Sequence, residues 1–244
     1  MRLADATWTD VRDADAELAV LPVGSTEGHG PHAPLGTDSF AATAVAEAGA
    51  EAYEAETGDA VLVAPTLPVG ISEEHRAFDG TLWLSPDTFR ASVRETIESL
   101  AAGDGPDAVV VVNGHGGNVD ALREVAARLT RDGVARVAPF TWFEAVGEHS
   151  SDMGHAGPLE TALMRHEHPE LVREDRIEEA RAGASDRWGD WVSGVNLAVD
   201  SDEFTENGVV GDPGEGDAEL GAELERLASE ALLALLRAVR ERAD

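Results

Sequence analysis

The sequence predicts one α/β domain spanning residues 1–244, a mainly parallel β-sheet flanked by helices. Three observations carry that expectation. Apolar runs alternate along the chain with Ala- and Glu-rich segments of helical spacing, the order that crossover helices between parallel strands produce. The run Ala108 to Val112 has no polar face, as a strand buried on both sides requires. A chain of 244 residues with 43% hydrophobic content can bury one sizeable core without dividing into smaller domains.

Leu18 to Val23 reads as the first strand. Ser39 to Thr57, rich in Ala and Glu, follows as a helix whose N-terminus lies beside Asp38, and Ala60 to Pro68 reads as the second strand. Pro86 to Ala102 is a helix capped by Ser85, with Pro at its first position. Ala108 to Val112 runs into the sequence NGHGGN, after which Val119 to Arg131 returns to helical spacing. Arg136 to Thr141 reads as another strand, and Glu160 to His166 as a helix after the loop GHAGP. Asp175 to Gly216 has little periodicity and is expected to run as a long excursion over the sheet edge, a lid or a subunit contact. Asp217 to Arg242 is the closing helix, and Leu220, Leu224, Leu227, Ala231, Leu235 and Val239 predict its packed face.

The 18 basic residues are all Arg, and they face 48 Asp and Glu for a net charge of -30. Such a surface repels phosphate backbones and anionic lipid, which argues against nucleic-acid and membrane partners. Self-repulsion of that size requires screening, so the composition predicts a halophilic protein in a high-salt cytoplasm. The absence of Cys removes disulfides, thiolate metal sites and a Cys nucleophile. The first twenty residues are acidic where a signal peptide is basic and apolar, and no apolar stretch approaches the ~20 residues of a membrane span. A cytoplasmic location is expected.

Leu21 to Asp38, LPVGSTEGHGPHAPLGTD, gathers Glu27, His29, His32 and Asp38 in a stretch rich in Gly and Pro. Glu27 and His29 are two residues apart, so in extended backbone they leave the same face, and Asp38 returns after a turn favoured by Pro31, Pro34 and Gly36. One imidazole and two carboxylates suit Zn, Mn or Fe better than Ca or Mg. His32 reads as a support for a ligand rather than as a ligand. The block Asn113 to Asn118 lies at the carboxyl end of a buried strand, where open α/β sheets bind ligands, and places His115 to complete the metal set. Gly116 and Gly117 let backbone approach a substrate, and helix N-terminal amides offer donors to a developing oxyanion. Asn118 is grouped with them on the substrate side, although both Asn113 and Asn118 can also fix their own loop.

A third block, GHAGPLET at 154–161, sets His155 in a small-residue loop with Glu160 near a helix start. His155 is the candidate proton carrier, while Glu160 either ligates a second metal or orients His155. His75 either reaches the pocket or forms a surface salt bridge, as does Glu73, and His149, His166 and His168 read as structural.

The segments GSTEGHGPHAPLGTD at 24–38, VNGHGGN at 112–118 and HAGPLET at 155–161, with SEEHRAFDGTLWL at 72–84 as a lesser echo, resemble the creatininase family of metal-dependent amidohydrolases in order and spacing. The resemblance implies a homo-oligomer, often a hexamer, holding two divalent metal ions per subunit and hydrolysing a non-peptide C–N amide bond of a small-molecule substrate. Carried over by position, Glu27 and His115 hold one metal, His29 the other, Asp38 bridges them, and His155 assists the departing nitrogen. Where creatinine hydrolases carry a metal-binding carboxylate two residues after the NGH histidine, this chain has Gly117, so a second metal takes its ligand elsewhere, with Glu160 the first candidate. Of the Trp residues only Trp142 lies near the region that shapes the creatinine pocket. The NGHGGN form resembles the branch of formamide hydrolases acting on a formylaminopyrimidine nucleotide in riboflavin and deazaflavin synthesis, which is the expected substrate. Creatinine hydrolases and members that trim a redox-cofactor precursor peptide are the rival expectations. A silent metal-binding scaffold is the alternative of another class, disfavoured because a structural site needs no proton carrier such as His155.

Overall fold

A computed structural model describes residues 1–243. After a short helix α1 (Trp8–Ala14), the chain runs through β1 (Leu18–Val23), α2 (Thr37–Thr57), β2 (Val61–Val63), α3 (Pro86–Leu100), β3 (Ala108–Asn113), α4 (Val119–Arg131), β4 (Arg136–Thr141) and α5 (Pro158–Glu167). It closes with α6 (Ile177–Ala182), a two-stranded hairpin of β5 (Trp191–Val192) and β6 (Val195–Asn196), and α7 (Ala218–Arg240). The four main strands pair in parallel in the order β2-β1-β3-β4, which bears out the predicted α/β class.

Strand parity sorts the core into two layers. Leu18, Val20, Val110 and Val112 face one side and pack with α2, α5 and α7, while Ala19, Leu21, Val23, Val109 and Val111 face the other and pack with Phe89, Val93 and Ile97 of α3 and Leu122, Val125 and Leu129 of α4. Each of the larger aliphatic or aromatic side chains buried in this way contributes about 1.5–3 kcal/mol. β1 is followed by a helix on one face and β3 by a helix on the other, so the loops leaving these adjacent strands part company. The crevice between them is a topological switch point, where α/β sheets open to ligands.

Several boundaries differ from the expectations. α2 begins at Thr37, which puts Asp38 inside its first turn rather than ahead of it. The second strand stops at Val63, and beyond Pro65 only a single bridge from Leu67 to Val23 remains, as prolines that cannot donate to the ladder require. On α7 the fully buried stripe is Leu224, Ala228, Leu232 and Leu236, with Leu220, Leu227, Ala231 and Leu235 on its flank. The excursion after Asp175 comes to the crevice itself: Val210 pairs by backbone with His155 in both directions, and Ser201 Oγ donates to the Glu74 carbonyl at 2.8 Å. No helix among the described residues is long and apolar enough to cross a membrane.

Candidate metal centre and cleft

Glu27 and His29 lie on the loop after β1, Asp38 in the first turn of α2, His115 just past β3, and His155 and Glu160 on the loop and first turn of α5. All six side chains are buried at the switch point. Sequence positions 133 residues apart at their extremes, Glu27 and Glu160, thus reach one place.

The imidazoles share one arrangement. His29 donates Nδ1–H to the Glu27 carbonyl at 3.1 Å, because a carbonyl can only accept, and this leaves Nε2 facing Asp38 Oδ1 at 3.0 Å and Glu160 Oε1 at 3.9 Å. His115 donates Nε2–H to the Ile71 carbonyl at 2.7 Å and turns Nδ1 toward Glu27 Oε1 at 3.1 Å and Asp38 Oδ2 at 3.3 Å. A ring nitrogen held between two buried carboxylates calls for a cation, either a proton on the ring or a metal. The carboxylates make the same demand: both oxygens of Glu27 and Oδ2 of Asp38 are buried without a hydrogen-bond donor. Burial works to lower the pKa of His29 and His115, yet the facing carboxylates hold both well above the ordinary 6.5. Burial works to raise Glu27, and His115 with His75 and His155 holds it well below the usual carboxylate range.

Two donor sets share Asp38, one formed with Glu27 and His115, the other with His29 and Glu160, and in each the ligating atoms lie within 4.8 Å of one another. Asp38 offers Oδ2 toward the first and Oδ1 toward the second. Glu27, His29 and His155 form a third, overlapping group. The two oxygens of Glu160 have separate surroundings: Oε2 accepts the Ala156 N–H at 2.5 Å, while Oε1 is 3.9 Å from His29 Nε2. Ala156 stands at φ +48°, a left-handed conformation for a residue with a Cβ, held by that bond and by the backbone pairing of His155 with Val210.

His155 donates Nε2–H to the Gly28 carbonyl at 2.9 Å and faces Glu27 Oε1 with Nδ1 at 3.8 Å. Its ring lies between those of His29 and His75, at centroid distances of 4.4 and 4.3 Å. His75 is fully buried, which removes the surface salt-bridge reading for it, whereas Glu73 does pair with Arg76 at the surface. His75 Nδ1 meets Ser201 Oγ at 3.3 Å, and Nε2, without a hydrogen-bond partner, is 3.5 Å from Glu27 Oε1. His32 touches none of the proposed ligands directly. It donates Nε2–H to Thr161 Oγ1 at 3.0 Å and so braces the first turn of α5, and burial, followed by His29, pushes its pKa down to about 4.

Above these residues opens a cleft of about 370 Å³, in which His75, His115, Gly116, Gly117, His155 and Glu160 meet Glu74, Phe143, Met153, Gly154 and Trp188. No Arg lines it. Asn118 departs from its expected place on the substrate side. Its side chain accepts Ile71 N–H at 3.0 Å and donates to the Gly24 carbonyl at 3.1 Å, tying three loops together away from the cleft. Trp142 is also withdrawn, fully buried with Phe143 packed edge-on at 5.7 Å, and it is Phe143 that reaches the cleft. Sequence reasoning passed over Glu74, although it sits between Glu73 and His75 on a tight 3₁₀ turn whose successive side chains diverge by about a third of a circle. Trp188 lies in the aperiodic excursion and gave no local signal.

The chain is 39% identical over 180 residues to a mycofactocin precursor peptide peptidase of Mycobacterium ulcerans, an alignment covering 72% of this chain and 66% of that protein. A solved creatinine amidohydrolase candidate from Bacteroides fragilis superposes with TM-score 0.81 at 26% identity, covering 99% of this chain and 96% of the other. A manganese form of creatininase shares the fold at TM-score 0.78 and 23% identity, covering 97% of each chain. The family model described as creatininase, creatinine amidohydrolase, matches residues 4–236, and the chain belongs to the creatininase family of hydrolases.

Proposed function

We propose that the chain is a divalent-metal-dependent hydrolase of amide bonds in short peptides, with residues 1–244 working as one catalytic domain. The carrying observation is the pair of buried donor sets that share Asp38 beneath a cleft reached by His155. Orphaned oxygens on Glu27 and Asp38 fit metal ions there. Glu27, Asp38 and His115 would hold one ion, and His29, Asp38 and Glu160 a second. When bound, such ions supply Lewis-acid polarisation of the scissile carbonyl and an acidified water nucleophile.

The protein's own groups supply the rest. His155, anchored through Nε2 to the Gly28 carbonyl, presents Nδ1 at 3.8 Å from Glu27 Oε1 and is the group placed to pass a proton to the departing nitrogen. Glu160 fixes the loop that aims this ring by holding Ala156 N–H. His75 and Trp188 close one side of the cleft and keep water from the ring pair. A peptide bond is favoured over the formylaminopyrimidine nucleotide because no Arg lines the cleft to meet a phosphate, and Glu74 confronts it with like charge. The name of the mycobacterial relative points the same way.

Incubating Mn- or Zn-loaded protein in high salt with short peptides, creatinine and the nucleotide, and following amine or formate release, tests this reading. Peptide cleavage by wild type, lost on chelation and restored by metal, is the expected result. Turnover of the nucleotide or creatinine with no peptide cleaved would overturn the substrate assignment, and protein that takes up no divalent metal would overturn the centre.

A further inference from the structure

The cleft wall carries two residues, Glu74 and Trp188, that hold no metal and move no proton in the chemistry above. Glu74 stands with a quarter of its side chain exposed, and its nearest cation is the His115 ring at 4.0 Å, through the nitrogen whose proton already serves the Ile71 carbonyl. It makes no ion pair with an Arg among the described residues, although most Arg side chains nearby in sequence do pair with acids. A partly desolvated carboxylate with so little compensation is a ready receptor for positive charge. Gly117 lies beside it, where a Cβ would strike the Ile71 carbonyl and His115 Nε2 first and come within 3.2 Å of Glu74 Oε1.

Trp188 faces the same space. Its ring sits 5.6 Å from His75, 5.8 Å from His155 and 5.1 Å from Phe204, and these contacts fix it in the cleft wall. The segment that carries it is latched to the turn that carries Glu74, by Ser201 Oγ donating to the Glu74 carbonyl at 2.8 Å and by Arg76 pairing with Asp200 at 2.5 Å. A carboxylate and an indole lining one small cleft form a recognition pair for an organic ammonium group, through a charge-assisted hydrogen bond and a cation–π contact.

We propose that Glu74 and Trp188 determine specificity by selecting amides that bear a protonated amino group beside an apolar or aromatic side chain. The inference rests on the amide-hydrolase reading, and its test does not require turnover. Phenylalanine amide and N-acetyl-phenylalanine amide carry the same ring and the same primary amide and differ in charge at nitrogen. Calorimetry with metal-loaded protein should find the charged probe bound about tenfold or more tightly, the worth of one charge-assisted hydrogen bond. Glu74→Gln should erase that preference while metal content and thermal midpoint stay at wild-type values. Trp188→Ala should weaken both probes, and Trp188→Phe should recover most of the loss. Where turnover is detected, kcat/KM ratios replace affinities. Equal binding of the two probes by wild type, or a preference that survives in Glu74→Gln, would overturn the proposal. Failure to cleave any peptide, with the charge preference intact, would instead remove the peptide-hydrolase reading and leave the binding site standing.

Discussion

At the scale of the residue, Asp38 and His155 sit within one cluster and separate cleanly in what they are expected to do. Asp38 offers one oxygen to each donor set, so Asp38→Ala should strip bound divalent metal altogether. His155 has one nitrogen on a backbone carbonyl and the other beside Glu27, so His155→Ala should leave metal content near wild type and lower kcat about 10²- to 10⁴-fold. Metal analysis alongside kinetics checks both, and equal metal loss in the two variants would refute the division. The ionisable groups also fix how chelated protein responds to pH. The raised values of His29 and His115 give stability that is complete below pH 6.5 and is lost as pH climbs through them. His32 and His75, pushed down by burial to about 4 and about 3, act oppositely, costing stability as pH falls below 6.5 and the unfolded chain takes up protons the folded one refuses. Thermal midpoints in EDTA should therefore peak near pH 6.5, and a midpoint still rising at pH 9 would contradict these assignments.

At the scale of the element, the α2–α7 contact is where the core is least tolerant. Gly49 of α2 leaves no space for a Cβ, which would fall 2.5 Å from Leu232 Cδ2, and Leu232 is fully buried on α7. Gly49→Ala should cost about 1–3 kcal/mol through overpacking, read as a lower midpoint in denaturant with metal content unchanged. A neutral or stabilising result would mean the helices can slide apart. What the sequence revealed at this scale follows from how local each signal is. The Ala108 strand and the Ser85 cap, whose Oγ accepts Thr88 N–H at 3.3 Å, are written in adjacent residues, and both were legible. The convergence of Glu27, His29, Asp38 and His115 was legible as well, since Gly- and Pro-rich loops next to strand ends have few structural reasons to hold Glu, His and Asp together. The short α1, with its Thr7–Asp10 capping box, escaped because seven residues carry too little period to stand out. The α7 stripe was read one flank over because its Leu and Ala residues are nearly continuous, so burial is decided by α2 rather than by α7 itself. Glu74 and Trp188 were hidden for a stronger reason: contacts such as Ser201 to Glu74 span 127 residues, and nothing local encodes them.

At the scale of the whole molecule, charge is the property least accounted for by the fold. The 48 Asp and Glu outnumber the 18 Arg by 30, so sharing one Arg between two carboxylates, as Arg90 does with Asp87 and Glu124, leaves the excess negative charge in place. The pairs that do form are mostly exposed, such as Arg226–Glu230 and Arg176–Glu179, and exposed pairs contribute little on their own. The buried carboxylates of the candidate centre add to the same negative field, which would draw divalent cations and ammonium groups toward the cleft and repel phosphates. Repulsion among surface carboxylates weakens as the screening length contracts from roughly 30 Å at 0.01 M to about 3 Å at 1 M salt. Thermal midpoints at pH 7 should therefore rise steeply between dilute buffer and the first several hundred millimolar KCl, and flatten once neighbouring charges are screened. Chloride and acetate should act alike if screening is the cause, whereas a gain confined to strongly excluded anions such as sulfate would mark a general strengthening of apolar burial instead. Full stability in dilute buffer would show that the surface carboxylates are spaced widely enough not to oppose folding, and the halophilic reading of the composition would fall with it.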